Sequence, residues 1–273
     1  MNQNKNVNLN YNRPIKIADD IYWVGFHDTE SNLHCNPYLI IDGDEAVLID
    51  SGSRPDFPTV LMKILQAGIS PSQIKALIYQ HFDPDLCGNI PNFEDIIGPD
   101  NLSLLSAKEN LSFIRHYAAS SQFIPIEKLN NRYTFSSGRT LEFIMTPYAH
   151  SAGSFITYDG KERILFTSDL IGSFSHEWDL YLTLEEECLV CTDYGNCQNK
   201  KDYCPLPDII KFHQKIMPSS SALRYAVNIM RGKEYKILAP QHGSVVSNKR
   251  DGDFLLEILS SLDDVGIDRF VRQ

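Results

Sequence analysis

The sequence lacks any long apolar run, since its hydrophobic stretches fall well short of the roughly 18 residues that a membrane-spanning helix needs. The segment from Met1 to Asn6 also lacks the apolar core of a secretory signal. From these two absences we expect a cytoplasmic protein that does not bind membranes. Disulfide bonds are unusual in that compartment, so the 6 cysteines are interpreted as thiols or metal ligands.

Positive charge is in short supply. The chain has 25 Lys and Arg residues against 35 Asp and Glu residues, which gives a formal net charge of -10. Such a surface repels nucleic acids and anionic lipids, so we expect neither as a partner. Hydrophobic residues make up 42% of the chain and charged residues 22%, which excludes disordered and fibrous classes.

Internal repeats and Pro- or Gly-rich linkers are also absent, so we predict one domain over residues 1–273, with a polar tail at 1–12. Apolar runs bounded by turn residues predict strands at 21–26, 36–43, 45–50, 74–79, 140–146, 154–158, 163–167 and 236–239. Helical spacing of apolar residues predicts helices at 57–67, 106–120, 218–232 and 252–265. Groups of strands with helices between them predict an α/β fold with two sheets covered by helices.

Three histidines and three aspartates follow strand-like runs along the chain. They are His81, Asp83, Asp85, His150, Asp169 and His242. The end of a rigid strand can aim a side chain, so these residues are candidate metal ligands. Each one alone is more often a structural residue, and only the combination favours a site. Six ligands exceed the needs of one tetrahedral metal and suit two metals bridged by a carboxylate. Nitrogen and oxygen donors suit Fe, Mn or Zn.

Successive motifs resemble those of the metallo-β-lactamase superfamily over about residues 20–260. The motifs are Asp50-Ser51-Gly52, the His81-to-Asp85 loop, the Pro147-to-Gly153 segment, Phe166-Thr167-Ser168-Asp169 and Pro240-Gln241-His242-Gly243. This resemblance implies the αββα four-layer sandwich of that superfamily.

The first ligand loop departs from the zinc hydrolases of the superfamily. Those enzymes usually read His-x-His-x-Asp-His, whereas here Asp83 replaces the second histidine and Leu86 replaces the last. A carboxylate at the position of Asp83 resembles the flavodiiron proteins, which bind two irons and reduce O₂ or NO, although their residue there is usually Glu.

The resemblance to flavodiiron proteins implies a role for each ligand. His81, Asp83 and His150 would hold the first iron. Asp85 and His242 would hold the second, and Asp169 would bridge the two. A bridging hydroxide or oxide is expected between the ions.

Flavodiiron proteins carry a flavodoxin domain after this one, and no such domain is recognisable here, so we expect no FMN in this chain. A di-iron domain that stands alone resembles the oxygen-binding di-iron proteins, some of which act as sensors in bacterial signalling. The segments Leu33–Tyr38 and Leu238–Gly243 are similar to that group. We therefore expect a protein that binds and activates O₂, or NO, as an oxygen or iron sensor or as an oxidase or reductase domain. A signalling protein or an electron donor would be its partner, and the flavodiiron relatives imply a homodimer.

Two other functions stay open. The chain could be the O₂ or NO reductase component of a system in which a separate flavin protein or rubredoxin supplies electrons. It could also be a dinuclear zinc hydrolase of the same fold, although the carboxylate of Asp83 argues against this. If the protein is an enzyme, we expect an oxidoreductase.

Four of the cysteines lie in one polar segment, which we interpret as a Cys-rich loop insertion at residues 185–207. They are Cys188, Cys191, Cys197 and Cys204. Four thiols could hold a structural Zn²⁺ or an iron–sulfur cluster, but the spacing matches neither the paired zinc pattern nor the usual ferredoxin run. The alternatives are four free thiols, or a redox-active pair at Cys188 and Cys191.

Overall fold

Two seven-stranded sheets form the centre of the molecule. The computed structural model describes residues 9–26, 33–117, 120–175, 177–194 and 203–271. The first sheet consists of β1 Ile15–Ala18, β2 Ile21–Trp23, β3 Tyr38–Asp42, β4 Glu45–Ile49, β5 Ile74–Ile78, β6 Ser103–Ser106 and β7 Gln122–Pro125. The second consists of β8 Arg132–Thr134, β9 Thr140–Met145, β10 Phe155–Asp159, β11 Ile164–Phe166, β12 Tyr181–Leu182, β13 Ile237–Ala239 and β14 Val245–Val246.

The helices cover the outer faces of the two sheets. They are α1 Phe57–Gln66, α2 Pro84–Cys87, α3 Ile90–Ile97, α4 Lys108–Ile114, α5 Leu206–Ile216, α6 Ser220–Arg231, α7 Lys249–Ser261 and α8 Asp268–Val271. None of the helices described is both long and apolar enough to cross a membrane.

Strand order in both sheets places particular strand ends at one edge. The first sheet runs in chain order, antiparallel from β1 to β4 and parallel from β4 to β7. The second runs β12-β14-β13-β11-β10-β9-β8, with β11 parallel to β13. The carboxyl ends of β5, β11 and β13 each lead into a segment that carries a predicted ligand.

Three apolar layers explain the four-layer arrangement. In β4, Val47 and Ile49 face the layer between the sheets, whereas Ala46 and Leu48 face the layer beneath the helices of the first sheet. Because successive strand side chains point to opposite faces, a strand buried on both sides must be apolar throughout. A third apolar layer lies between the second sheet and α5 to α7. The predicted αββα fold is confirmed.

Several predicted elements differ from those in the structure. The helix predicted at 106–120 covers only Lys108–Ile114, because Ser106 ends strand β6, whose residues pair with β5 and β7. The last helix begins at Lys249 and ends at Ser261, rather than spanning 252–265. Helices α3 and α5 were not predicted. In α5, Leu206, Ile209 and Phe212 are buried at helical spacing, but they directly follow the polar Cys-rich segment.

A lysine is buried where α1 meets the N-terminal strands. The side chain of Lys63 is inaccessible to solvent, and its ammonium donates a hydrogen bond to the Gly25 carbonyl at 2.5 Å. Its Nζ lies 4.0 Å from the ring centroid of Trp23. Because burial disfavours the charged form, the pKa of Lys63 is lowered to about 7.

Lys63→Met should therefore change how stability depends on pH. Folded Lys63 loses its proton near pH 7, whereas an unfolded lysine keeps it up to about pH 10.4. Because the unfolded state binds more protons between these values, stability should rise with pH by up to about 1.4 kcal/mol per unit. The Met variant should lose this contribution in urea titrations across that range.

The matched control is Lys75→Met, because Lys75 is exposed and, among the described residues, its ammonium donates a hydrogen bond only to the nearby Ser72 carbonyl. Its pH dependence should match that of the wild type. An identical pH dependence in Lys63→Met and the wild type would contradict the shifted pKa.

Candidate metal centre

The structure brings all six predicted ligands together at the edge between the two sheets. His81 follows β5, Asp83 directly precedes α2, Asp85 lies within α2, His150 lies between β9 and β10, Asp169 follows β11, and His242 follows β13. The ends of parallel strands meet at one sheet edge, which is why residues far apart in the chain converge there.

Two histidines and two aspartates form a first cluster. The Nε2 atom of His150 lies 3.3 Å from Asp83 Oδ2 and 3.2 Å from Asp169 Oδ2. The Nε2 atom of His81 lies 3.9 Å from Asp83 Oδ2 and 3.6 Å from Asp169 Oδ1. Ligand atoms of His81, His150 and Asp169 all lie within 4.8 Å of one another, a spacing that one metal ion could span.

A second cluster lies on the other side of Asp169. His242 Nε2 is 3.1 Å from Asp85 Oδ2 and 3.8 Å from Asp169 Oδ1. The thiol of Cys35 completes a group with Asp85 and His242 whose ligand atoms are all within 4.8 Å of one another. Asp169 therefore contacts histidines of both clusters through one carboxylate. A carboxylate in this position could bridge two metal ions.

Several ligand atoms are buried without a hydrogen bond. In the described part of the chain, His81 Nε2, His150 Nε2 and Asp169 Oδ1 have no hydrogen-bond partner. His81 and Asp169 are 1% and 2% exposed. Burying a polar atom without a partner is costly, and a bound cation would remove that cost. The residues therefore fit a metal ion.

The other ring nitrogens of two histidines are held by neighbouring groups. His242 Nδ1 lies 2.9 Å from the His34 carbonyl, so it donates its proton there and leaves Nε2 free to bind a metal. His81 Nδ1 lies 3.0 Å from the hydroxyl of Ser168, the residue before Asp169. These contacts fix both rings with Nε2 directed into the site.

Charges within the site shift several pKa values. Burial lowers the pKa of His81, because it disfavours the charged form of the ring. Burial would do the same to His242, but hydrogen bonds with Asp85 and Cys35 raise the pKa of His242 well above its usual value. Burial disfavours the charged form of Asp85, yet bonding to His242 lowers the pKa of Asp85 to about 2. The carboxylates thus stabilise positive charge, as a cation site requires.

One side of the site is open to solvent. The side chains of Asp83, Asp85 and His150 are 35%, 24% and 20% exposed, whereas those of His81, His242 and Asp169 are at most 5% exposed. The buried residues therefore form the floor and the exposed ones the rim. A small molecule can approach from the rim.

Two side-chain amides that were not predicted to have a role join the sheets beside the site. Asn36 Nδ2 donates to the carbonyls of Pro240 at 3.0 Å and Gly243 at 2.8 Å, and its Oδ1 accepts from Trp23 Nε1 at 2.9 Å. Gln80 Nε2 donates to the Phe166 carbonyl at 2.8 Å. The sequence gives no sign of this role for Asn36, because the carbonyls that its Nδ2 contacts lie about 200 residues away in the chain.

The Cys-rich loop shows no thiol site in the part that is described. Cys188, Cys191 and Cys204 belong to neither ligand group, and Cys197 lies outside the described residues. Cys188 and Cys204 pack against the apolar layer beneath α5 to α7. A Zn²⁺ or iron–sulfur site with all four cysteines stays a prediction.

Comparisons with known proteins agree with this fold. A family model described as ODP family beta lactamase matches residues 33–243. The type A flavoprotein fprA of Rhodobacter capsulatus is 24% identical over 258 residues, which cover 87% of this chain and 54% of that protein. This chain therefore spans about half the length of that curated relative.

Solved structures share the fold. The chemotaxis sensor ODP, solved as a peroxy di-iron species, aligns with a TM-score of 0.72 at 24% identity over 95% of this chain and 97% of its own. The rubredoxin oxygen:oxidoreductase of Desulfovibrio gigas aligns with a TM-score of 0.73 at 18% identity over 91% of this chain and 61% of its own. The predicted resemblance to the metallo-β-lactamase superfamily and its flavodiiron branch is confirmed.

Asn36→Ala should destabilise the protein and disturb the second cluster. Loss of the amide removes the hydrogen bonds to the Gly243 carbonyl and from the Trp23 indole, and leaves the Pro240 carbonyl with the bond from the Tyr38 hydroxyl. We expect the free energy of unfolding of the metal-free chain to fall by about 3 kcal/mol. Metal affinity at the second site should also fall, since the segment carrying His242 loses an anchor.

Asn10→Ala is the matched control, because Asn10 is exposed and, within the described part of the chain, its side chain accepts a hydrogen bond only from the Asn12 backbone amide. This variant should change neither the free energy of unfolding nor the metal affinity. Denaturant titration and metal titration measure the two effects separately, and wild-type values of both in Asn36→Ala would contradict the role of the amide.

Proposed function

The chain belongs to the family described as ODP family beta lactamase. From this membership we propose that it is a non-haem di-iron protein that binds O₂ as a sensor. The observation that carries the proposal is the position of Asp169 between the two clusters. His81, Asp83 and His150 would hold one iron, and Asp85 and His242 the other, with Asp169 as the bridge.

The donor set supports iron. Three neutral imidazoles and three carboxylates offer nitrogen and oxygen ligands, which suit ferrous and ferric ions. A carboxylate at Asp83 adds negative charge where the zinc hydrolases have a neutral imidazole. When bound, a pair of ferrous ions supplies the electrons for reducing O₂.

The protein's own residues have three tasks in this proposal. The Ser168 hydroxyl and the His34 carbonyl orient the rings of His81 and His242. The apolar layers behind the floor exclude water from the buried side of the site. The open rim at Asp83 and Asp85 admits a small molecule from solvent.

A reductase component is the second candidate. The shared fold of the rubredoxin oxygen:oxidoreductase favours it, since that protein is named for turnover with an electron donor. In that case a separate flavin protein or rubredoxin would supply electrons to this chain. The two candidates use the same ligands and differ in the fate of the electrons.

Removing the bridge should remove both metals. Protein purified without oxygen or chelators should contain about two irons per chain, and Asp169→Ala should contain almost none, because one carboxylate serves both ions. Asp85→Ala should keep about one. Asp95→Ala, at an exposed position on α3, should keep both.

Elemental analysis measures these contents. About two zincs and no iron in the wild type would replace the di-iron proposal with the hydrolase. Full iron occupancy in Asp169→Ala would show that the aspartate does not bridge.

Reaction with O₂ separates sensor from reductase. The anaerobic ferrous protein should consume about one O₂ for each pair of irons and then stop, because two ferrous ions can donate only two electrons on oxidation to the ferric state. An oxygen electrode measures the uptake. Rapid, sustained uptake after addition of reduced rubredoxin or a reduced flavin protein would instead support the reductase.

A further inference from the structure

We propose that the thiol of Cys35 is a ligand of the metal held by Asp85 and His242. This inference rests on the proposed two-metal function and deepens it. The resemblance to flavodiiron proteins gives the second metal Asp85, His242 and the bridging Asp169. The structure adds a sulfur atom to that set.

The positions of the ligand atoms support the assignment. Cys35 Sγ lies 3.8 Å from Asp85 Oδ2, and His242 Nε2 lies 3.1 Å from the same oxygen. Metal–sulfur bonds of about 2.3 Å and metal–oxygen bonds of about 2.0 Å separate the two ligand atoms by roughly 3.5 Å in a tetrahedral site. The spacing in the protein therefore needs little adjustment to enclose an ion.

The backbone around Cys35 is fixed to the backbone around His242. The carbonyl of His34 accepts a hydrogen bond from His242 Nδ1 at 2.9 Å, and the backbone N–H of Asn36 donates one to the Gln241 carbonyl at 2.8 Å. Cys35 lies between these two contacts. The thiol and the imidazole are thus held beside each other by bonds on both sides, and the pair is preorganised for a common ion.

A second line of support comes from unpartnered atoms at the site. Asp169 Oδ1 is buried without a hydrogen bond and lies 3.8 Å from His242 Nε2. A cation between Cys35, Asp85, His242 and Asp169 would contact one atom from each. Each metal would then have four protein ligands, with the other set formed by His81, Asp83, His150 and Asp169.

Binding through sulfur has a chemical consequence. The thiol gives up its proton when the metal–sulfur bond forms, because the thiolate is the ligand. A soft thiolate favours iron or zinc over magnesium or manganese at this position. The two sites would therefore differ, with sulfur at one ion and only nitrogen and oxygen at the other.

The other cysteines allow a clean experiment. In a parent variant, Cys188, Cys191, Cys197 and Cys204 are changed to Ser, which leaves only Cys35 and Cys87 of the 6 cysteines. Cys87 is the matched control, because it is buried near the site. Its thiol belongs to neither ligand group and instead lies 3.9 Å from the His81 carbonyl. Cys35→Ser and Cys87→Ser are then made in this parent.

Zinc-loaded protein is measured by X-ray absorption at the zinc edge. The parent and Cys87→Ser should show one zinc–sulfur contact for two zincs, at about 2.3 Å. Cys35→Ser should show none, and should bind its second zinc at least tenfold more weakly. Cobalt loading gives an independent optical signal, since only a cobalt–thiolate bond produces the sulfur charge-transfer band.

The outcomes separate this inference from the proposed function. Two bound zincs without zinc–sulfur scattering in the parent would overturn the Cys35 assignment and leave the two-metal site intact. Fewer than two bound zincs in the parent would overturn both. If Cys35→Ser does not fold, zinc–sulfur scattering in Cys87→Ser still assigns the sulfur, because only Cys35 remains there.

Discussion

The separation between the two sheets is the constraint on which the site depends. His81, Asp83 and Asp85 follow β5 of the first sheet, whereas Asp169 and His242 follow strands of the second. Gln80 and Asn36 donate from the first sheet to carbonyls of the second at 2.8 to 3.0 Å. Buried hydrogen bonds of this kind are costly to break, so they set the distance between the two halves of the site.

The balance of charge among the side chains then decides which ions the site can bind. Three aspartates close together repel one another unless positive charge lies among them. Hydrogen bonds with Asp85 and Cys35 raise the pKa of His242, which favours positive charge on that ring. A divalent metal would supply positive charge more fully and would also contact the unpartnered atoms of His81 and Asp169. Metal binding would thereby favour the folded chain.

The family and the fold leave room for different functions. A chemotaxis sensor and an oxygen:oxidoreductase share this fold, so the fold alone does not decide the function. In this chain the surroundings include the thiol of Cys35 and an open rim at Asp83 and Asp85. These features would tune the metals without changing the six ligands on which the resemblance rests.

The sequence by itself determined the fold class and the identity of the six clustered residues. Strong apolar runs such as those of β4 and β5 are visible locally, and each is followed by a distinctive motif, Asp50-Ser51-Gly52 after β4 and the His81-to-Asp85 loop after β5. The tertiary structure alone decided that Cys35 lies beside Asp85 and His242, and that Asn36 and Gln80 join the sheets. The physical reason is distance along the chain. Contacts between residues about 200 positions apart depend on how two sheets pack, and no local pattern of side chains encodes that packing.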